Sequence, residues 1–516
     1  MSKITVDLEK VAHAINLLIP AITGLFALLG YYVSFYFHFL TVVGIFLTAI
    51  NLSYLFGQKR HALLANFGLL AQGRYILESI GPELRQYLFA SDTEERPFNR
   101  VERAEVYRKA QGVDSSSSFG TLLEYDAIKL AHSMFPADKE KITPFSLTFG
   151  EERGIENTYT IHSPIIISGM SFGALGERAV RALSRGAKYA GIPMNTGEGG
   201  HPKYHMMEGA DLIFQIGTAK FGVRHEDGRL DEDKLRTLSE QPQIKMIELK
   251  FSQGAKPGKG GLLPKEKITE EISQLRGVPM GQDVISPTYH AECKDVDSTL
   301  AFIARLQEVS RLPVGFKLCI GRVDEFRALA QGMKRLGIYP DFITIDGAEG
   351  GTGAAPKSFM DEVGMPLFRA LPLAHQILTE EGVRDRLKLL SSGKLINAGR
   401  QLQALALGAD AVCSARGFML AIGCIQALQC NKNSCPVGIT THNPKLQRGL
   451  DIELKAQRVK TYAESLLKEH KELLAATGRY AWSELDEENL IHPSSEAPPL
   501  VSLLSSGPSP ANRTEQ

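Results

Sequence analysis

Beginning near Ser163, the chain repeats one pattern: a short β-branched run that ends in glycine or a polar residue, followed by a helical stretch. In order the runs are IIISG (165–169), PMNTG (193–197), MIELKF (246–251), VISP (284–287), VGFKL (314–318), FITIDG (342–347), LLSSG (389–393) and AVCSA (411–415). Strands that alternate with helices build a parallel α/β sheet, and this number of them predicts closure into a (β/α)8 TIM-type barrel. A further run, LIFQIG near Leu212, is assigned to an excursion hairpin. In such a barrel the C-terminal ends of the strands form the site. The fold expectation therefore becomes a residue list.

Ahead of the barrel, no formally charged residue occurs from Val11 to Gln58, a run of 48 positions. A bilayer core takes ~20 apolar residues per helix, so the run holds two spans, at about 11–30 and 34–56, with Gly30, Tyr31 and Tyr32 at the turn. The expected fold class is thus an α/β barrel with an N-terminal transmembrane helical hairpin. Tyr31, Tyr32, Tyr36 and Tyr54 suit the membrane interface. A cleaved signal peptide fits less well, because the run is too long, the leader MSKITVDLEK is weakly basic and no small-x-small cleavage site is present. Lys59, Arg60 and His61 follow the run, which predicts a two-pass membrane protein with both the N-terminus and the catalytic domain cytoplasmic.

The expected organisation is a hairpin (1–57), a connecting region (58–145), the barrel with its cysteine loop (146–450), a C-terminal helical extension (451–491) and a disordered tail rich in Pro, Ser and Gly (492–516). The connecting region holds an amphipathic stretch around Tyr75 to Phe89, suited to lie on the membrane or the next domain, and a polar loop, DSSSS (114–118). The extension, about Glu453 to Ala476, is expected to close the fold or to pair subunits in a homo-oligomer. Lys+Arg and Asp+Glu balance at 58 each, so nothing in the charge argues for nucleic acid.

The strand ends carry the chemistry. SGMSFGALG (168–176) follows the first strand, and the small residues at Ser168, Gly169, Met170 and Ser171 let a planar ring approach the backbone. DGAEGGTGAAP (346–356) follows the sixth, with Asp346 and an anion-cradling set at Gly350, Gly351 and Gly353. Gly393 and Gly399 follow the seventh, where barrel enzymes bind phosphate at a helix N-terminus. Together these describe a planar cofactor bearing a phosphate, for which flavin mononucleotide (FMN) is the economical choice. Charged candidates at the same rim are Glu198 after the second strand, Lys256 after the third, His290 after the fourth and Lys317 inside the fifth. An ordinary surface charge is the competing reading of each. Lys317 differs, because a lysine flanked by apolar strand needs a partner or a role. Beside a flavin it would stabilise the anionic reduced ring.

Half of the six cysteines, Cys424, Cys430 and Cys435, follow a C-x5-C-x4-C spacing with proline directly after the last, and no cysteine precedes Cys293. This is not a secreted disulfide framework, so a reducing compartment is expected. Clustered thiolates select zinc, copper(I) or iron-sulfur clusters. Zinc would need a fourth ligand such as His442, and three cysteines suit a three-iron cluster better. Three buried small hydrophobes are the remaining reading.

Taken together, the motifs SGMSFGALG, NTGEGG, QGAKPGKGG, ISPTYH, GFKL, DGAEGGTGAAP, LALGADAV and the cysteine run, over about 165–444, resemble the FMN-binding synthase domain of glutamate synthase. The resemblance implies a barrel with FMN at its mouth and a 3Fe-4S cluster on Cys424, Cys430 and Cys435. It implies addition of ammonia to 2-oxoglutarate and hydride reduction of the imine to L-glutamate. Glu198 and Lys256 would be catalytic, Gln253, Lys256 and Arg276 would bind substrate, and Ser171 and Lys317 would contact the flavin. Arg276 offers a bidentate fork to a carboxylate, and Glu198 would move protons as the imine forms.

Two departures stand out. The family's loop reads GAKPGEGGQLP, whereas here Lys259 and Leu262 replace an acid and an amide. The chain is expected to work without a glutaminase domain of its own, taking free ammonia, another amine or nitrogen from a separate subunit. It shows no convincing pyridine-nucleotide fingerprint, so electrons would arrive through the cluster from a donor protein. The alternatives are an FMN oxidoreductase acting on another 2-oxo, 2-hydroxy or amino acid, or a non-catalytic membrane-linked electron carrier.

Overall fold

The computed structural model describes residues 8–58, 61–113, 116–122 and 127–493. Lys59 and Arg60, which carry the orientation expectation, lie outside these residues, as do leader residues 1–7, Asp114 and Ser115 of the polar loop, and the tail from residue 494. The chain divides into two compact units, Met1–Arg100 and Val101–Gln516.

In the first unit, α1 (Leu8–Tyr32) and α2 (Phe37–Leu52) form a helical hairpin. Ala14–Tyr32 and Phe37–Gly57 are long and apolar enough to cross a membrane, with mean hydropathies of 1.8 and 2.0. The helices approach closely at Gly44, where an added Cβ would stand 2.3 Å from Thr23 Oγ1. The polar join is Asn51, only 3% exposed: its Nδ2 donates to Asn16 Oδ1 (3.0 Å), and its Oδ1 accepts the Leu69 N–H (2.6 Å). That last bond fixes the start of α3 (Leu69–Leu84), whose Ile76, Leu77 and Ile80 are exposed along one face.

The second unit is a closed parallel barrel of β1 (Ile165–Ile167), β2 (Met194–Asn195), β3 (Leu212–Ile216), β4 (Ile244–Lys250), β5 (Val314–Leu318), β6 (Phe342–Asp346), β7 (Lys388–Ser392) and β8 (Ala411–Ser414). The strand number is as expected, but two assignments are exchanged. LIFQI is the third barrel strand, paired in parallel with β2 and β4, and all five of its residues are buried. VISP is instead the excursion: Val284–Ile285 pairs antiparallel with Leu262–Leu263, and Ile285 is exposed. A run buried along its whole length belongs in a parallel barrel because helices cover it outside and side chains fill it inside. VISP runs into Pro287, which has no N–H for a ladder, and exposes Ile285, so it stays outside the barrel. The QGAKPGKGG loop therefore follows the fourth strand, and His290 lies later in the same connection.

The outer ring includes α4 (Glu177–Ala190), α5 (Glu232–Ser239), α6 (Glu270–Arg276), α7 (Val296–Ser310), α8 (Val323–Leu336), α9 (Leu367–Glu380), α10 (Ala398–Ala406) and α11 (Ile452–Ala476). Asp295 and Ser298 cap α7 reciprocally, Asn397 caps α10, and Asp451 caps α11. The charged C-terminal helix α11 turns its apolar side inward. Ala456, Val459, Tyr462 and Leu466 are buried, and Val459 packs so closely on α4 that a Cβ at Gly186 would lie 2.4 Å from it. At the other end of the barrel, the hairpin Leu147–Phe149 and Tyr159–Ile161 drives Phe149 against Ile166, Ile213, Met246 and Phe342. That end is plugged, so the C-terminal end of the strands is the open mouth.

Candidate active site

Charged and polar side chains floor the mouth. Glu248, near the end of β4, accepts from Asn195 Nδ2 (2.7 Å), Gln215 Nε2 (2.7 Å) and Thr344 Oγ1 (2.8 Å), so a buried carboxylate is fully satisfied. On β5, Lys317 Nζ lies 3.5 Å from Asp346 Oδ2, which also accepts the Gly254 N–H (2.8 Å). Burial opposes the Lys317 charge, but Asp346 and Glu248 outweigh it and hold the ammonium above its ordinary range.

The β1 loop lies on this floor. Ser168 N–H donates to the Ser414 carbonyl (3.0 Å) and Met170 N–H to the Asn195 carbonyl (3.4 Å). A Cβ at Gly169 would stand 2.9 Å from Asn195 Oδ1, which explains the glycine. Ser171 is buried in the same loop, and its carbonyl accepts the Leu175 N–H (2.9 Å).

Gly350, Gly351, Ser392, Gly393, Lys394 and Arg416 line one cleft where the loops after β6, β7 and β8 meet. Arg416 Nη2 donates to the Glu349 carbonyl (2.5 Å), and a Cβ at Gly351 would come within 2.7 Å of Arg416 Nε. Three predicted glycines thus meet two cations in a cradle suited to an anion. Gly353 is exposed, with no neighbour within 4 Å of where its Cβ would be, and Gly399 sits in the first turn of α10. Neither lines that cleft.

The substrate candidates converge. Glu198 Oε1 accepts from Lys250 Nζ at 2.6 Å. Lys256, 3% exposed, donates to the Ala354 carbonyl (3.0 Å), which ties the β4 loop to the β6 loop. Arg276, at the end of α6, donates from Nη2 to the Phe172 carbonyl (2.8 Å), while its buried Nε has no acceptor. Gln253 is half-buried, and its carbonyl accepts the Lys256 N–H (3.1 Å). Burial would raise the Glu198 carboxyl, yet Lys250, Lys256 and Arg276 hold it below the ordinary carboxylate range. Burial, reinforced by Lys250, pushes Lys256 down to about 8, and burial pushes Arg276 down to about 10. Three cations face one carboxylate in a sheltered place, so the pocket favours an anion of more than one charge. His290 supports this cluster from behind. Its buried Nε2 donates to the Lys250 carbonyl (2.9 Å), and burial, pushing it down to about 4, keeps it neutral.

The cysteine loop is built under strain. Gln426, Leu428 and Asn433 are left-handed at φ 58°, 54° and 55°, a conformation that costs non-glycine residues of order 1–3 kcal/mol each and gathers at functional sites. Tyr107 Oη donates to the Cys424 carbonyl (2.6 Å) and Arg103 Nη1 to the Ile425 carbonyl (3.3 Å), pinning the start of the loop. Burial pushes the Cys424 thiol up to about 11 and raises Cys430. Burial acts on Cys435 as well, but backbone N–H groups of Thr440, Val437 and Ile439 hold that thiol below its ordinary value. Among the described residues no three His, Cys, Asp or Glu side chains form a ready metal-ligand set. His442 Nε2 donates to the Gly173 carbonyl (2.9 Å), which ties the end of the cysteine loop to the β1 loop.

Sequence reasoning passed over Lys250, Glu248, Lys267, Lys394 and Arg416. For Lys250 and Glu248 the signal was the one already used for Lys317, a charge within an apolar strand. Lys394 directly follows Gly393, and Arg416 directly follows the eighth run.

The model of the conserved region in glutamate synthase matches residues 114–480. The glutamate synthase large subunit-like protein YerD of Bacillus subtilis is 38% identical over 475 residues, covering 84% of this chain and 90% of its own. The archaeal glutamate synthase (NADPH) of Methanocaldococcus jannaschii is 38% identical over 318 residues, 62% of this chain and 59% of that protein. The chain thus spans about three fifths of the archaeal relative's length. Among solved structures, a flavocytochrome b2 with sulfite bound aligns with 86% of this chain and 93% of its own at 14% identity and a TM-score of 0.47, too loose a likeness to bear on the site.

Proposed function

The chain belongs to the glutamate synthase family of oxidoreductases, and from that premise we propose that it is a membrane-anchored FMN and iron-sulfur enzyme that reductively aminates 2-oxoglutarate to L-glutamate. The observation that carries the reading is the pocket in which Lys250, Lys256 and Arg276 surround Glu198. A dicarboxylate supplies the negative charge this pocket lacks. Arg276 offers its unpartnered Nε–H and Lys256 its ammonium to the carboxylates. Glu198, held ionised by its neighbours, takes a proton from the incoming amine and returns it as water leaves. Lys250 keeps that carboxylate oriented, and His290 keeps Lys250 in place.

The residues fit the flavin the family implies. Gly350, Gly351, Gly393, Lys394 and Arg416 would hold its phosphate, the β1 loop from Ser168 to Ser171 would leave room for the ring, and Lys317 would face it with positive charge. Bound there, FMN would supply the hydride. Three thiols on one strained loop suit a 3Fe-4S cluster, which would relay single electrons from a donor protein. The apolar hairpin supports anchoring as a two-pass protein, and the basic residues that follow it, Lys59 and Arg60, support a cytoplasmic catalytic unit.

Reduction of a different acid is the second reading, favoured by Lys259, whose ammonium lies 5.5 Å from the Phe359 ring, and by Leu262 in the excursion strand. The deciding experiment photoreduces the detergent-solubilised protein without oxygen and adds 2-oxoglutarate with ammonium. Flavin reoxidation with stoichiometric glutamate is the expected result. A flavin that stays reduced, even when glutamine and a glutaminase are supplied, would turn the assignment to another substrate.

A further inference from the structure

Three consecutive carbonyls of the β1 loop are each held by a different buried or part-buried side chain. The Phe172 carbonyl accepts from Arg276 Nη2 (2.8 Å), the Gly173 carbonyl from His442 Nε2 (2.9 Å), and the Ala174 carbonyl from Lys267 Nζ. Gly173 must be glycine here, because it is left-handed (φ 103°) and a Cβ would meet Arg276 Nη2 at 2.6 Å. Lys267 also donates to the Cys430 carbonyl (3.1 Å), and beside it the Glu266 carbonyl accepts from Asn433 Nδ2 (2.7 Å). One ammonium therefore joins the loop under the candidate flavin to the loop that carries the cysteines.

The charge of this lysine is hard to explain as scaffolding. Lys267 is 2% exposed, and its acceptors are two neutral carbonyls. A buried cation without a carboxylate is costly; burial and the nearby buried cation Arg276 work against it, and the groups that favour it are Cys430 and Cys435 of the cysteine loop. Hydrogen bonds between two loops need only a neutral donor, and burial disfavours the ammonium, so a negative group close by is what would hold the charge here. The cysteine loop is where that group would sit.

We propose that Lys267 is a positioning residue that fixes the β1 loop against the cysteine loop and whose positive charge favours the reduced state of the cluster held there. The inference rests on the functional reading above. Each electron that enters the cluster from the donor adds one negative charge beside the ammonium. Coulomb attraction in a poorly screened interior then makes that one-electron reduction easier.

The test uses the full-length protein in detergent, with Lys267→Gln, which keeps N–H donors without charge, and Lys267→Arg, which keeps the charge. Iron and sulfide are counted, and the cluster and flavin midpoints are measured by anaerobic dithionite titration followed by EPR and absorbance. Lys267→Gln should shift the cluster midpoint to more negative potential and leave the flavin midpoint unmoved, whereas Lys267→Arg should stay near wild type. Loss of iron from Lys267→Gln with retention in Lys267→Arg also supports a need for charge. Equal cluster midpoints in the two variants, or equal loss of iron from both, would overturn the proposal. Wild-type protein that holds no iron would instead defeat the functional reading on which the proposal stands.

Discussion

Lys256 is the residue on which the pocket turns, because its burial pulls the ammonium down to about 8 and into the working range. Below that value it is cationic and would attract the proposed dicarboxylate; above it the charge is gone. For the free enzyme, kcat/KM should therefore fall as pH rises through about 8. Lys256→Arg, whose guanidinium stays charged, should flatten that alkaline limb. Lys256→Ala should cost about 10- to 100-fold or more in kcat/KM, the worth of a charge-assisted hydrogen bond, with flavin and iron contents unchanged. An unaltered rate would remove Lys256 from the pocket. On the cysteine loop, Cys430→Ser should release iron and sulfide, since a hydroxyl is a poor substitute for a soft thiolate; full retention on elemental analysis would return the trio to ordinary buried side chains. Much of this was legible in the chain. Glu198, Gln253, Lys256 and Arg276 were nameable from motifs, and the structure gathers Glu198, Lys256 and Arg276 into one electrostatic cluster. Lys267 was not legible, because its meaning lies in two carbonyls 93 and 163 positions away in sequence.

At the level of elements, the count of strands was readable and the membership was not. LIFQI is short and mostly apolar, and in an isolated reading such a run of five fits a barrel strand or a packed hairpin equally well. What decides is tertiary: β3 inserts between β2 and β4, and a polar residue on it, Gln215, turns inward to Glu248. VISP misled because valine and isoleucine carry strand propensity wherever they fall, while propensity yields to burial. Since β3 is part of the closed barrel, Phe214, fully buried, should tolerate truncation badly. Phe214→Ala is expected to cost about 3–5 kcal/mol, read as a lower denaturation midpoint at unchanged slope. Ile285→Ala, on the exposed excursion strand, should move stability by no more than about 0.5 kcal/mol. Similar losses at both positions would contradict the strand exchange.

For the whole molecule the question is whether the two units do different work, one holding the chain at a membrane and the other doing chemistry. Ala14–Tyr32 and Phe37–Gly57 leave their apolar side chains exposed or half-buried, an arrangement that water penalises at about 25 cal/mol per Å2 and lipid does not. Within that apolar surface Asn16 and Asn51 satisfy each other, and Asn51 also takes the first N–H of α3, so the hairpin closes its own polar groups as a lipid-exposed element must. The full chain should therefore sediment with membranes and resist an alkaline carbonate wash. Removing residues 1–57 should shift the protein to the supernatant. Asn51→Leu removes both bonds, leaving Asn16 and the Leu69 N–H unpaired, and should weaken the hairpin by about 1–2 kcal/mol. The measurement is the detergent concentration at which the hairpin loses helix. If the full chain instead washes free of membranes, the exposed apolar faces must be covered by protein, and crosslinking through single cysteines placed at Leu17 and Phe46 would show which copies meet there.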